Sequence, residues 1–431
     1  MKSICNFYLK ILGTLLLCSQ MMNAQQVYTV VSGGLYYPGG VTNDGAVSMN
    51  RGNEVYYWNP TNGLIQIGTA NNGVNLAGKS LISQDGSKIV AGVTNSGTNV
   101  NEVSVYDVST ATWTHLGGPG NVLDGSISTP WGMNPDGNII VGLGWFGAFP
   151  HAIKWTPTDG WTDMGSTLPG NGSRANVVND DGTIIAGWQD NVFLREAVRW
   201  VNGVQAYLTD TDGNHINEPS GISADGKTIV GYNDTDLSAY VWNETTGYQA
   251  ITHPNTSSNF RGGSTAVSAD GKTVIGYYRS PFGIPVGGEG FIWTQETGRI
   301  ELNQYVESLG IDTQGIKFGL PLAISRDGTK IAGAGIQSGV PTTFMIDLSG
   351  TMATQNANIK KLSIYPNPVK DVLNITGFNK LENIEIFNMA GQRVKSPATS
   401  DKINVSELSK GTYILRLTAD GKKQNIKLIK E

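Results

Sequence analysis

Seven times along this chain an apolar residue, then Ser, Thr or Asn, leads one residue later into Asp-Gly, at Asp44, Asp85, Asp136, Asp181, Asp225, Asp270 and Asp327. Successive pairs lie 41, 51, 45, 44, 45 and 57 residues apart. A period in the forties, carried by turn residues and strand formers, restricts the chain to a radial or stacked β array. Three residues before the Asp stands Val41, Ile82, Met133, Val178, Ile222, Val267 or Ile324. Two before stands Thr42, Ser83, Asn134, Asn179, Ser223, Ser268 or Ser325. Such side chains bond the backbone of a turn that follows. Asp-Gly itself supplies the positive φ values of a two-residue hairpin loop.

Beyond the turn, β-branched runs such as Thr228-Ile229-Val230 lead to a Gly six residues after the Asp, at Gly142, Gly187, Gly231, Gly276 and Gly333. This reads as a buried strand. A later strand ends in an aromatic, as in Tyr57-Trp58, Lys154-Trp155, Arg199-Trp200, Val241-Trp242 and Ile292-Trp293, and a Gly-containing turn leads to a fourth strand. Each unit is then four short antiparallel strands, one blade of a β-propeller, and the Trp is expected to pack between blades. The last unit stops after Thr343-Phe344-Met345-Ile346-Asp347, whereas Val27-Tyr28-Thr29-Val30-Val31 precedes the first. The N-terminal segment is therefore expected to complete the last blade and remove the exposed sheet edges. The count is about seven blades, with six and eight as the neighbouring alternatives.

Composition agrees with an all-β chain rich in tight turns: 56 Gly, and only 15% charged residues. The net charge of −5 hides a split, with 15 basic against 28 acidic residues over 25–355, and 13 against 7 from Asn356 onward. An acidic body without a basic stripe argues against a nucleic-acid partner. Lys2 and Lys10 precede the apolar run Ile11 to Leu17, and Met22-Asn23-Ala24 suits a cleavage site, so 1–24 reads as a signal peptide. The run is too short to span a membrane, and no later segment approaches the required length. Cys5 and Cys18 both fall within 1–24, so the mature chain would carry no disulfide.

The units resemble the HAF repeats of bacterial extracellular proteins. His151-Ala152-Ile153-Lys154-Trp155, Glu196-Ala197-Val198-Arg199-Trp200 and Ser268-Ala269-Asp270-Gly271 carry the resemblance over about 27–350. It implies a secreted propeller-like protein and adds no catalytic residue. From about Lys360 the chain turns Lys- and Asn-rich, with short strands that read as a small Ig-like β-sandwich. Ile364-Tyr365-Pro366-Asn367-Pro368, Gly411-Thr412-Tyr413-Ile414-Leu415 and the Lys-rich end resemble a type A sorting domain of the type IX (Por) secretion system of Bacteroidetes. That resemblance implies export through the periplasm to the surface or the medium, with the secretion machinery as partner. The expected division is 1–24 signal peptide, 27–350 propeller, 351–359 linker and 360–431 sorting domain.

Function is expected on the face that carries the connections after strands two and four, because these are long and variable. Trp145, Trp188, Tyr232 and Tyr277 follow strand two there and are the candidate ligand platforms. Glu54, Glu102, Glu196 and Glu289 precede the blade aromatics, and would form an acidic ring for a hard cation such as Ca²⁺. No catalytic residue is assigned. Four histidines without metal-ligand spacing argue against zinc or Ser-His-Asp chemistry. Three readings stay open: a secreted or surface binding propeller for a glycan or protein ligand, a carbohydrate-active hydrolase or lyase on the same face, and a structural component of the cell surface or gliding apparatus.

Overall fold

Only the glycine of each Asp-Gly pair takes a positive φ, between +71° and +86°, and none of the seven aspartates does. The expected two-residue loop is therefore corrected. The flanking backbone pair encloses three residues in the first unit, where Thr42 N–H bonds Ala46 O, and four in a later one, where Ser83 N–H bonds Lys88 O. This geometry suits a hairpin closed by a left-handed glycine. The carboxylate is part of it: Asp85 accepts the Ser83 hydroxyl at 2.6 Å and the Ser87 N–H at 3.0 Å. The Ser83 Oγ in turn accepts the Lys88 N–H at 2.9 Å. The same set recurs at Ser223–Asp225, Ser268–Asp270 and Ser325–Asp327. Hydrogen bonds led by that of Ser83 hold Asp85 below the usual carboxylate range.

The computed structural model describes residues 26–431 apart from 72–77, 124, 193, 350–362, 377–379, 389–391, 398 and 420–421. The expected signal peptide and linker fall outside the described residues. Two compact units divide after Gly350. The first holds seven four-stranded antiparallel sheets. Six are sequential and span 37–69, 81–115, 128–165, 173–207, 219–251 and 261–301. The seventh joins Ile316–Ile324, Lys330–Gln337 and Val340–Asp347 to the N-terminal strand Gln26–Ser32, paired from Gln26↔Asp347 to Ser32↔Thr342. The chain is all-β in its sheets, a seven-bladed propeller closed by its first strand.

The first strand of each blade is innermost. The seven apolar residues before the Asp-Gly turns, from Val41 to Ile324, all line one axial channel. The residue between the hydroxyl or amide and the Asp links neighbouring turns: Gln84 N–H bonds Pro135 O, Ala224 N–H bonds Ala269 O, and Ala269 N–H bonds Arg326 O. Pro135 has no N–H, and there the Asn134 amide reaches Asp180 O at 3.2 Å instead. From the seventh blade, Arg326 pairs with Asp180 of the fourth, so the pair bridges the turn-side mouth of the channel.

The blade aromatics pack between blades as expected. Trp58 meets Val30 and Met345 of the seventh blade, and Trp200 meets Val141 and Ala152 of the third. One short helix, Leu302–Ser308, lies in the connection into the seventh blade and buries Leu302 and Val306. Their spacing of four is its only sequence signal, and the strand-based reading passed over it.

The second unit stacks a three-stranded sheet with a four-stranded one around Leu373, Ile375, Ile386, Leu415, Leu417 and Leu428. It is the small sandwich that the strand pattern suggests.

The recurring glycine answers to a bulge. In blades three to seven the first strand slips register by one residue, for example between Ala175 and Val177, which bows its backbone toward the second strand. A β-carbon on Gly187 would overlap the Arg174 carbonyl oxygen, and one on Gly142 that of Thr129. We expect Gly187→Ala to cost about 2–3 kcal/mol by overpacking. Gly283→Ala, in ordinary contact on a surface loop, should leave the thermal midpoint within a degree or so. Equal midpoints for the two variants would refute this account of the repeat glycine.

Candidate functional site

On the inner strand, side chains alternate between the axis and the sheet, so residues seven, five and three before the Asp face the channel. The third is always apolar, whereas the other two change from blade to blade. At the end away from the Asp-Gly turns they open a cavity of about 390 Å³. Tyr37, Lys79, Trp131, Arg174, Asn176, Glu218, Tyr232, Tyr277 and Arg279 contribute to its wall. A second cavity of about 130 Å³ lies between blades five and six, and shares Tyr232, Tyr277 and Arg279 with the first. The two form a mouth with a groove running outward from it past Pro281.

One cluster organises the wall. Arg174, buried on the fourth blade, donates from Nε to Asn176 Oδ1 at 2.7 Å and pairs with Glu218 of the fifth. Its guanidinium lies 3.6 Å from the Trp131 ring centroid, a cation–π contact with the third blade. The Asn176 amide donates to Glu218 Oε1 at 3.0 Å, and Arg195 Nη1 to Oε2 at 3.2 Å. Both carboxylate oxygens are thus engaged. Burial draws the Arg174 guanidinium down to about 10, with Glu218 pulling the other way. Tyr232 moves upward, first through burial and then through Glu218, so its phenol keeps its proton and serves as a donor.

Two cations on the wall have no carboxylate. Lys79 Nζ makes no hydrogen bond or ion pair with any described residue. Burial lowers it to about 8, Arg174 adding to the effect and Glu218 opposing it. Arg279 stacks 5.0 Å from the Tyr277 centroid, and its Nε is buried without a partner.

Of the four aromatic candidates, Tyr232 and Tyr277 meet in this cavity. Trp188 is corrected: it is 2% exposed, with Arg195 over its ring at 4.5 Å and Arg174 at 5.2 Å. It supports the guanidinium cluster from beneath and offers no stacking face. Trp145 is half-buried in the third blade and outside the cavity wall.

The acidic ring is corrected as well. Among the described residues no group of three or more His, Cys, Asp or Glu is placed to hold a metal ion. The third strands stand two places out from the axis, so equivalent glutamates lie in separate blades and take local partners. Glu54 accepts the Tyr56 hydroxyl at 2.8 Å, and Glu102 the Asn95 amide at 2.6 Å. Glu196 meets His215 at 3.1 Å, and Glu289 meets His253 at 3.2 Å. The loops need a correction too. Connections after strand four are long, but those after strand two are two-residue turns in four blades, because the paired strands run further than expected. Only the sixth blade has a long one, 280–288. Lys79, Arg174, Glu218 and Arg279 were not anticipated. Arg174 and Glu218 are charges seven residues before the Asp, where other blades carry Tyr, Gly, Thr or Leu, which is the signal that would have found them.

Comparison with known proteins bears on export more than on ligand. Residues 363–431 match the family model for the secretion system C-terminal sorting domain. The tail is a Por sorting domain. It implies the type IX secretion machinery as partner and export to the cell surface or extracellular space. No described helix is long and apolar enough to cross a membrane. A β-agarase D of Zobellia galactanivorans is 32% identical over 90 residues, 21% of this chain and 19% of that protein. The chain therefore spans about a fifth of the length of this curated relative. An oligogalacturonate lyase from Vibrio parahaemolyticus aligns at 13% identity and a TM-score of 0.48, covering 76% of this chain and 94% of its own. A TolB-like protein from Agrobacterium tumefaciens gives 11% and 0.37, over 65% and 89%.

Two expectations follow. Folding depresses the Lys79 ammonium from 10.5 to about 8. Between those values the unfolded chain holds a proton that the folded chain has released, so this residue's penalty is full below pH 8 and fades as pH rises. Lys79→Met should thus melt higher than wild type at pH 7, with the gap shrinking by pH 10. A gap that stays constant would contradict an ammonium whose charged form the fold disfavours. Separately, a chain ending at residue 362 should accumulate in the periplasm of a type IX-competent host, as read by fractionation, whereas the full chain leaves it.

Proposed function

We propose that this protein is an exported binding propeller that holds a glycan across the axial mouth of its long-connection face. The observation that carries the reading is the convergence of Tyr232 and Tyr277 with Arg174, Asn176 and Glu218 in one cavity continuous with the groove between blades five and six. A sugar needs an apolar ring face to stack on and fixed polar groups at its edge, and this wall supplies both. The cavity is large enough for about one or two sugar rings. The groove lets a polymer continue outward, toward the loop that exposes Phe282 at 85%.

Binding is favoured over hydrolysis by the inventory of acids. Glycoside hydrolysis commonly uses two carboxylates flanking the bond. Among the described residues Glu218 is the only carboxylate on the wall of the mouth, and both of its oxygens are held by Arg174, Asn176 and Arg195. Asp234, in the adjoining groove, lies 3.6 Å from Arg261.

The test is a polysaccharide array with wild type, Tyr232→Ala and Tyr277→Ala, combined with a reducing-end assay on every polymer that binds. Each truncation should weaken binding about tenfold, the equivalent of about 1.4 kcal/mol, without release of oligosaccharide. Binding that is indifferent to both tyrosines would move the site elsewhere, and released product would replace the binding reading with an enzymatic one.

A further inference from the structure

The body of this chain is acidic, yet the mouth carries an excess of positive charge. Lys79, Arg174 and Arg279 line the cavity against the single carboxylate of Glu218. Arg174 and Glu218 neutralise one another, and Arg195 closes on the second carboxylate oxygen from outside. The remaining two cations are uncompensated. Among the described residues no carboxylate pairs with the Lys79 ammonium, and the Arg279 Nε is buried without a hydrogen-bond partner. Elsewhere on the propeller, inward-turned cations are matched: buried Lys330 meets Asp347 at 3.0 Å, and half-buried Arg326 meets Asp180. Both side chains are half-buried, and a cation partly withdrawn from water gains from an arriving counter-charge. Two on one cavity wall, beside a stacking tyrosine, describe a subsite awaiting an anion attached to a ring.

We infer that the ligand is an anionic saccharide whose carboxylate or sulfate is taken by Lys79 and Arg279 while its ring packs on Tyr277. This rests on the glycan reading above and narrows it to a charge class. Arg279 lies over the Tyr277 ring at 5.0 Å, and its guanidinium fork matches the geometry of a planar carboxylate or a sulfate. The ammonium of Lys79 supplies a point charge from the connection that enters the second blade. The charged groups facing it are Arg174 and Glu218. Tyr232 offers a neutral hydroxyl donor between them and the groove. Such a site rejects the uncharged analogue, because binding it would leave both cations desolvated and unpaired.

The experiment measures binding by calorimetry with four polymers: a uronate homopolymer, its methyl ester, a sulfated galactan and its desulfated form. Wild type, Lys79→Met, Arg279→Gln and Tyr277→Ala are compared. At least one charged polymer should bind about tenfold or more tightly than its neutral counterpart. Lys79→Met and Arg279→Gln should each remove most of that preference. Wild-type affinity should also fall as pH rises through 8, and Lys79→Met should lose that fall. Which of the two charged polymers wins identifies the anion as carboxylate or sulfate. Equal binding of charged and neutral forms, still dependent on Tyr277, would overturn the anionic subsite and leave the glycan site standing. No binding of any polymer would overturn both.

Discussion

The hydrogen-bonded pairing of Gln26–Ser32 with Val340–Asp347 holds the rest of the propeller in place. It gives the seventh sheet its outer strand and converts a row of blades into a ring. Only in a ring do seven inner strands face one axis, and only then do Tyr37 from the first blade and Leu320 from the seventh share a cavity wall. Val27 and Ile346 join Phe318 and Phe344 in the same apolar cluster, so closure is secured by packing as well as by the ladder. On the turn side, the links from Gln84 to Pro135 and from Ala224 through Ala269 to Arg326 hold neighbouring blades at a common height. The two devices act at opposite ends of the blades: one closes the circle and the other keeps it level.

Within that ring the channel is divided along its length. The turn end carries the repeated apolar ring of Val41, Ile82 and their equivalents, with Asn43, Gln84 and Asn134 beside it, and is bridged by Arg326 and Asp180. The other end is polar and charged, with its guanidinium cluster built over Trp131 and Trp188. Repetition belongs to the structural end and variation to the open end. A scaffold of this kind can change its ligand at positions seven and five before the Asp without disturbing the turns that set its shape.

Much of the architecture was legible because its causes are local. The Ser-x-Asp-Gly device acts within six residues, and the strand-ending Trp packs on the next blade wherever it occurs. The closing strand was legible by subtraction, since the last unit lacked a fourth strand and the chain began with a spare one. The loop size was misread because the Asp was credited with a positive φ, when its carboxylate in fact caps the Ser87-type N–H. The site was half legible. Tyr232 and Tyr277 follow a repeat glycine and could be placed on a face, but Trp188 at the same repeat position is covered by Arg195, a residue from its own blade's third strand. Repeat position alone does not report what lies on top of a side chain. The glutamates misled for a related reason: equivalence in sequence places residues on a circle, and only the innermost circle is small enough for them to meet.

Closure by the first strand also orders events in time. Gln26 and its partner Asp347 are separated by almost the whole propeller sequence, and contacts that distant form slowly because the intervening chain must be ordered first. Blades one to six are each made of consecutive strands and can assemble from local pairings as the chain emerges. The seventh cannot finish until its last residues have returned to the first. Until then the third strand of that blade, Val340–Asp347, is an open edge, and the axial cavity has no complete wall. The wall of the axial cavity is therefore completed last, when Leu320 and Leu322 of the seventh blade take their places in the closed ring.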